Sequence, residues 1–256
     1  MEHPTAAGLL ILFDVDGTLL LTDGAGRVAI RAALEAVYGT SGPMEGYNFH
    51  GKTDPQIVVE LMSGAGLDER EIRDRLTRVW PIYLRTLESE LEIRRAEGRI
   101  TVLPGVAELL AVLEGRTGIS LGLLTGNIEE GARLKLAAAD VPWRFDVGAY
   151  GSDSEERSEI ARIAVERGRS SVGAGDAPAS VVVVGDTPED IACARAVNAR
   201  AIAVATGRHG VGELEEAGAD AVFGDFRDTE AVLQCIGSLS GTANGRSDSR
   251  GNGGSR

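Results

Sequence analysis

Leu9-Leu10-Ile11-Leu12-Phe13-Asp14-Val15-Asp16-Gly17-Thr18 is the stretch on which the fold turns. Its apolar half has the length and continuity of a strand buried on both faces, the habit of a parallel sheet. The run then stops in two carboxylates. Unpaired buried charge is costly, so Asp14 and Asp16 at this position call for a chemical reason rather than a packing one.

The same pattern recurs downstream. Ile119 to Leu124 reads as a strand that ends in Thr125-Gly126-Asn127, and Val181 to Val184 as one that ends in Gly185-Asp186-Thr187-Pro188. Shorter strands follow at Ala201 to Val204 and Ala221 to Phe223. Between them lie helical patterns: Val106, Leu109, Leu110 and Leu113; roughly Glu129 to Ala139; Ile160, Ile163 and Ala164; Ile191, Ala194 and Val197. Strands alternating with helices at this spacing predict an α/β fold, a Rossmann-like parallel sheet with helices on both faces. Ligands of such sheets bind beyond the carboxyl ends of the strands, so the three polar clusters are expected to meet there.

From about Leu20 to Ile100 the chain reads as helix after helix. Ile30, Leu34, Val37 and Tyr38 share a face that Gly39 closes. Asp54-Pro55 has the form of an N-cap and first turn, and Asp68 with Glu71 that of a capping box. Pro81 is expected to kink or split the helix it falls in. The predicted organisation is therefore a core of residues 1–20 and 101–236, an all-helical insert of residues 21–100, and a Gly/Ser/Asn/Arg tail of residues 237–256 with no fold of its own. Gly168 to Ser180 is expected to be an unstructured connection.

Composition narrows the function classes. The chain has 256 residues, 43% hydrophobic and 25% charged, normal for a globular core. Its formal net charge of −13 and 4% aromatic content argue against nucleic acid as a partner. No apolar run approaches the roughly 20 residues of a membrane span. Met1 to Gly8 carry no basic leader, and Cys193 and Cys235 are too few for a disulfide framework, so a cytoplasmic setting is expected. Lysine occurs only at Lys52 and Lys135, so roles usually given to Lys can fall to Arg.

Asp14, Asp16 and Asp186 brought together would repel one another, and a divalent cation would relieve that. An all-oxygen carboxylate set favours Mg²⁺.

With these residues in place, the chain resembles the haloacid dehalogenase superfamily of aspartate-nucleophile phosphohydrolases. Asp14-Val15-Asp16-Gly17-Thr18 matches its Asp-x-Asp-Gly-Thr signature. Leu123-Leu124-Thr125-Gly126-Asn127 matches its second motif, and Gly185-Asp186-Thr187-Pro188-Glu189-Asp190 its Gly-Asp-x-x-x-Asp motif. The helical insert resembles the family's small helical cap, in the phosphoglycolate-phosphatase-like branch. Each motif alone would be a plain turn or helix start; in this order, each on its own strand, they are specific.

The resemblance implies a Mg²⁺-dependent phosphatase acting on a small phosphorylated metabolite through an aspartyl phosphate. It implies Asp14 as nucleophile and Asp16 as general acid and base. Asp14, the backbone carbonyl of Asp16, and Asp186 would hold the metal, with Asp190 a direct ligand or a support behind one. Thr125, with Gly126 and Asn127, would hold phosphoryl oxygens. The family usually places a Lys in its third motif. Lys135 falls too soon after Thr125 and is expected to be a solvated surface charge, so Arg157 is expected to take that role. In the cap, His50-Gly51-Lys52-Thr53-Asp54 resembles a substrate-specificity loop, with Lys52 and Thr53 as substrate contacts. Gly24-Ala25-Gly26 is a candidate hinge, and Trp80 and Trp143 are expected to be packing residues. A sugar phosphomutase and a non-catalytic phospho-ligand or protein binder are the alternatives.

Overall fold

The computed structural model describes residues 8–171 and 180–241. Among them, six strands form one parallel sheet: β1 (Leu9–Phe13), β4 (Ile119–Leu124), β5 (Val147–Ala149), β6 (Ser180–Gly185), β7 (Arg200–Val204) and β8 (Ala221–Phe223), in the order β5-β4-β1-β6-β7-β8. Strand β1 lies between β4 and β6, and its side chains alternate between two cores. Leu9, Ile11 and Phe13 enter one apolar cluster; Leu10 and Leu12 enter the other. Burial on both faces is why this segment reads as an unbroken apolar run.

Helices α4 (Val106–Glu114), α5 (Glu129–Ala138) and α9 (Thr229–Gly241) contribute to the first cluster. Helices α6 (Arg157–Ser171) and α7 (Pro188–Ala196) fill the second, and α8 (Val211–Glu216) adds Leu214 to it. Registers Phe13↔Leu123 and Phe13↔Val184 align the carboxyl ends of the three central strands.

Between β1 and β4 the chain forms α1 (Ala25–Tyr38), α2 (Asp54–Gly64) and α3 (Glu69–Ala96), around a third apolar cluster of their own. The chain leaves and returns through a short antiparallel ribbon, β2 (Leu20–Leu21) against β3 (Thr101–Val102). Sequence patterning misses this ribbon and β5, because two residues carry no periodicity and Val147-Gly148-Ala149 offers only one large apolar side chain.

Several expectations change. Pro81 does not split α3, which runs unbroken through it. Val79, Tyr83, Leu87 and Leu91 are buried on either side of the proline, so tertiary packing outweighs the lost hydrogen bond. Helix α2 is capped by Thr53, whose side chain accepts from the Gln56 N–H, and Asp54 is the first helical residue. Ala25 and Gly26 lie inside α1 and only Gly24, at φ 74°, precedes it, so the three do not form a hinge segment. Gly168 to Ser171 belong to α6 and Ser180 to β6; residues 172–179 lie outside the described residues. Residues 237–241 are the last turns of α9, and the rest of the expected tail lies outside the described residues. No described helix is long and apolar enough to cross a membrane.

Candidate active site

The carboxyl edge of the sheet faces the helical insert across a cavity of about 630 Å³. Asp14, Asp16, Thr125, Asn127, Arg157 and Asp186 line its floor. Each stands where a strand ends or the next helix begins, so the strand register assembles the group.

Asp14 follows β1, and its N–H donates to the Val184 carbonyl of β6 at 2.9 Å. Asp186 follows β6 and Asp190 lies in the first turn of α7; carboxylate oxygens of Asp14, Asp186 and Asp190 all fall within 4.8 Å of one another. All three residues are buried. Burial pushes Asp14 and Asp186 above the usual carboxylate range, and the neighbouring carboxylates push them further. The Thr18 hydroxyl donates to Asp186 at 3.1 Å. The backbone closes tightly on this group: a Cβ at Gly17 would stand 2.3 Å from Asp186 Oδ2, and one at Gly207 1.8 Å. Gly17 also has a φ of 84°, so both sterics and backbone demand glycine there.

Arg157 opens α6 and reaches into the cluster. Its guanidinium pairs with Asp190 and lies 3.7 Å from Asp14 Oδ2. Burial works against its charge, but Asp190 and Asp14 outweigh that and hold it firmly protonated. Its Nε is buried and meets no acceptor among the described residues. Asp190 is well occupied: Oδ2 accepts from the Thr187 N–H (3.1 Å) and hydroxyl (2.6 Å), and Oδ1 from Arg157. It supports Arg157 and the start of α7.

Three carboxylates against one guanidinium leave negative charge in excess. Hard oxygen donors, buried and mutually repelling, fit a small divalent cation such as Mg²⁺. Asp14 and Asp186 would hold it, with Asp190 beside them.

Asp16 does not join that cluster. Its side chain turns the other way, and Oδ2 accepts from Lys135 Nζ at 2.7 Å and from Asn127 Nδ2 at 2.7 Å. The expectation that Lys135 is a solvated surface charge is thus overturned. Lys135 is 6% exposed on α5 and faces the site. Position 135 looks like mid-helix surface in sequence, and only the packing of α5 beneath the insert turns it inward. Burial lowers its tendency to hold a proton, but Asp16 and Asp54 prevail and raise it.

Thr125 is fully buried at the end of β4. Its hydroxyl accepts from the Asn127 side chain at 2.8 Å. The Asp54 N–H of the insert donates to the Gly126 carbonyl at 2.8 Å, and a Cβ at Gly126 would stand 2.2 Å from the Lys52 carbonyl. Asp54 reaches in turn to the Ile128 N–H at 2.8 Å. Burial lifts its carboxyl to about 6, against the pull of Lys135 and the Ile128 N–H.

The two loop residues expected to contact substrate behave differently. Lys52 lines the cavity, but its ammonium pairs with Glu60 and sits 4.5 Å from the Tyr47 ring centroid. Thr53 is fully buried and does not line the cavity; its hydroxyl caps α2 and donates to the Glu155 carbonyl at 3.1 Å. The cap takes the oxygen and Glu155 takes the proton, which leaves the Thr53 hydroxyl nothing to offer a substrate. Trp143, 36% exposed, packs edge to face on the buried Phe145 and carries the Arg133 guanidinium 3.8 Å from its ring centroid. Trp80, half-buried, meets Tyr83 edge to face.

Residues that sequence reading missed come from α1, the loop after α1 and the loop after β7. Arg27, Phe49 and Arg208 line the cavity, as does His50 at the head of the loop that carries Lys52. Thr206 donates to the Gly17 carbonyl at 2.6 Å and, with Gly207, shields Asp186. Thr206-Gly207 follows a strand just as Thr125-Gly126 does, so the strand-end rule could have found it.

Comparisons with known proteins agree with this geometry. Residues 11–204 match the model of the family described as haloacid dehalogenase-like hydrolase. A "probable phosphatase IndB" of Dickeya dadantii is 27% identical over 90% of this chain and 96% of its own. A phosphoglycolate phosphatase of Nitrosospira multiformis is 25% identical over 88% and 95%. The crystal structure of a hydrolase from Pseudomonas syringae superposes with a TM-score of 0.62 at 21% identity, covering 90% of this chain and 99% of that one. With the family model matched along the whole span from β1 to β7, the chain belongs to the haloacid dehalogenase-like hydrolase family.

Proposed function

We propose that this hydrolase is a phosphatase that cleaves a small anionic phosphomonoester, of the size and charge of 2-phosphoglycolate, with residues 21–100 as a cap over a core of residues 1–20 and 101–236. The observation that carries the reading is the convergence of Asp14, Arg157 and Asp186 on one buried point, with Asp16 in the same cavity but bonded away from them to Lys135.

Asp14 is the nucleophile. Its carboxylate oxygen bonds to phosphorus while the ester P–O bond breaks, which leaves an aspartyl phosphate on Asp14. Arg157 offsets the charge of Asp14 and of the phosphoryl oxygens. Thr125 and the backbone N–H groups of Gly126 and Asn127, just ahead of α5, hold the remaining phosphoryl oxygens. Asp16 gives its proton to the departing alkoxide. It then takes a proton from water as that water attacks phosphorus and breaks the P–O bond to Asp14, which releases inorganic phosphate and restores the Asp14 carboxylate and the protonated Asp16. Mg²⁺ held by Asp14 and Asp186 would lower the repulsion between carboxylate and phosphate.

The far side of the cavity supports the anionic substrate. Arg27 and Arg208 line it, and neither guanidinium has a carboxylate partner among the described residues. A second anionic group on the substrate would find them there. The fixed cavity volume favours a metabolite over a macromolecule.

The test is a phosphate-release screen with Mg²⁺ over small phosphorylated metabolites, including 2-phosphoglycolate and sugar phosphates, with Asp14→Asn as control. Metal-dependent release from anionic monoesters that Asp14→Asn abolishes is the expected result. Isomerisation of a sugar phosphate without net phosphate release would convert the reading to a phosphomutase. No turnover with any substrate, or full turnover by Asp14→Asn, would overturn it.

A further inference from the structure

The ion pair between Lys135 and Asp16 carries more than charge balance. A lysine 6% exposed is retained in a fold only where its charge is paired and its donors are used. Here Nζ donates to Asp16 Oδ2 at 2.7 Å and to Asn127 Oδ1 at 2.6 Å. The second bond fixes which way the Asn127 amide faces. Its oxygen must meet the ammonium, so its Nδ2 points at Asp16 Oδ2 (2.7 Å) and at the Thr125 hydroxyl (2.8 Å). Lys135 therefore holds Asp16 twice, once directly and once through the orientation of Asn127.

The result is asymmetric. Both donors fall on Oδ2, and among the described residues no donor reaches Oδ1 of Asp16. The Asp16 side chain is 40% exposed and lines the cavity. One oxygen is anchored to the protein and the other faces the space where substrate sits. A carboxyl on a short, rotatable side chain gains most from such a clamp when it must deliver a proton to one particular atom.

The insert completes the clamp. Lys135 passes close to α1, where a Cβ at Gly26 would stand 3.6 Å from Nζ, and Asp54 lies near enough to help keep the lysine charged.

We infer that Lys135 is a positioning residue that acts through Asp16 and Asn127, aiming Oδ1 of Asp16 at the bridging ester oxygen. The inference rests on the phosphatase reading and on Asp16 as its proton donor.

Leaving-group dependence separates this role from a structural one. p-Nitrophenolate departs without help, whereas an alkoxide needs a proton as the P–O bond breaks. The experiment follows the first turnover of the full chain with Mg²⁺, using p-nitrophenyl phosphate and an alkyl phosphate on wild type, Lys135→Met, Asn127→Ala and Asp16→Asn. For Lys135→Met, alcohol release is expected to fall about 100-fold, the lower end of what general acid catalysis contributes, while the p-nitrophenolate burst falls far less. Asn127→Ala, which keeps the backbone N–H, is expected to give the same split in milder form, and it serves if Lys135→Met does not fold. Equal losses for the two substrates would mean that Lys135 serves the fold or the phosphoryl group, and would overturn the inference, as would no loss at all. If Asp16→Asn itself shows no leaving-group dependence, the underlying reading of Asp16 fails instead.

Discussion

At the scale of single residues, Arg157 carries a testable part of the proposed mechanism. Its guanidinium is paired with Asp190 and lies 3.7 Å from Asp14. On the proposed mechanism Arg157→Ala removes a buried cation that would face both nucleophile and phosphate, so kcat for phosphate release is expected to fall about 100- to 1000-fold. Steady-state assays at saturating substrate would read this, and near-normal kcat would take Arg157 out of the mechanism. Asp14, Thr125 and Asp186 were legible because each ends an apolar run. Lys135 was not, because a charged residue inside a helix looks the same whether its helix faces water or a neighbour. Thr53 was misread for the opposite reason: its position in the loop was evident, but its hydroxyl had already been used as a cap.

At the scale of elements, the amino edge of the sheet is held by polar ties as well as by the apolar cores. Asp220, in the turn before β8, accepts from the Ala201 N–H of β7 at 2.8 Å and from Arg195 and Arg200 at 2.9 and 3.0 Å. Burial pushes its carboxyl up, but the Ala201 N–H and the two guanidiniums outweigh this and leave it below the usual range. A group depressed in the folded state stabilises above its unfolded pKa, and that contribution is lost as pH falls through its folded pKa. Asp220→Asn should therefore lower the stability read from urea unfolding at pH 7, by about 1 kcal/mol, since both partner guanidiniums are largely exposed. The gap from wild type should close as pH drops below the carboxylate range; a gap unchanged in acid would contradict the account. Helix α3 teaches a related lesson. A proline marks a probable break in sequence, yet a helix whose buried face is continuous on both sides of Pro81 stays whole.

At the scale of the whole molecule, the site belongs to neither part alone. The core supplies the carboxylates, and the insert closes over them through contacts such as the Asp54 N–H on Gly126 and the Arg73–Glu155 pair, 2.9 Å apart. The cost of gathering Asp14, Asp186 and Asp190 falls on the fold when no cation is bound. Metal-free Asp186→Asn is accordingly expected to melt above metal-free wild type. Mg²⁺ at a hundredfold excess over its Kd should stabilise wild type by about 2.7 kcal/mol and the variant by much less. Melting curves with chelator and with Mg²⁺ would decide: a variant less stable than wild type without metal, or equally responsive to Mg²⁺, would count against these residues as the metal site.

By itself the sequence determined the parallel sheet, the strand ends that bear Asp14, Thr125 and Asp186, and the helical character of the insert. All of these depend on the local order of apolar and polar residues. Tertiary structure alone decided that Lys135 is buried against Asp16, that Asp190 holds Arg157, that α3 passes through Pro81, and that the loop after β7 shields Asp186. Each of these is a contact between segments far apart in the chain, and such contacts exist only once packing has chosen which face of each element turns inward.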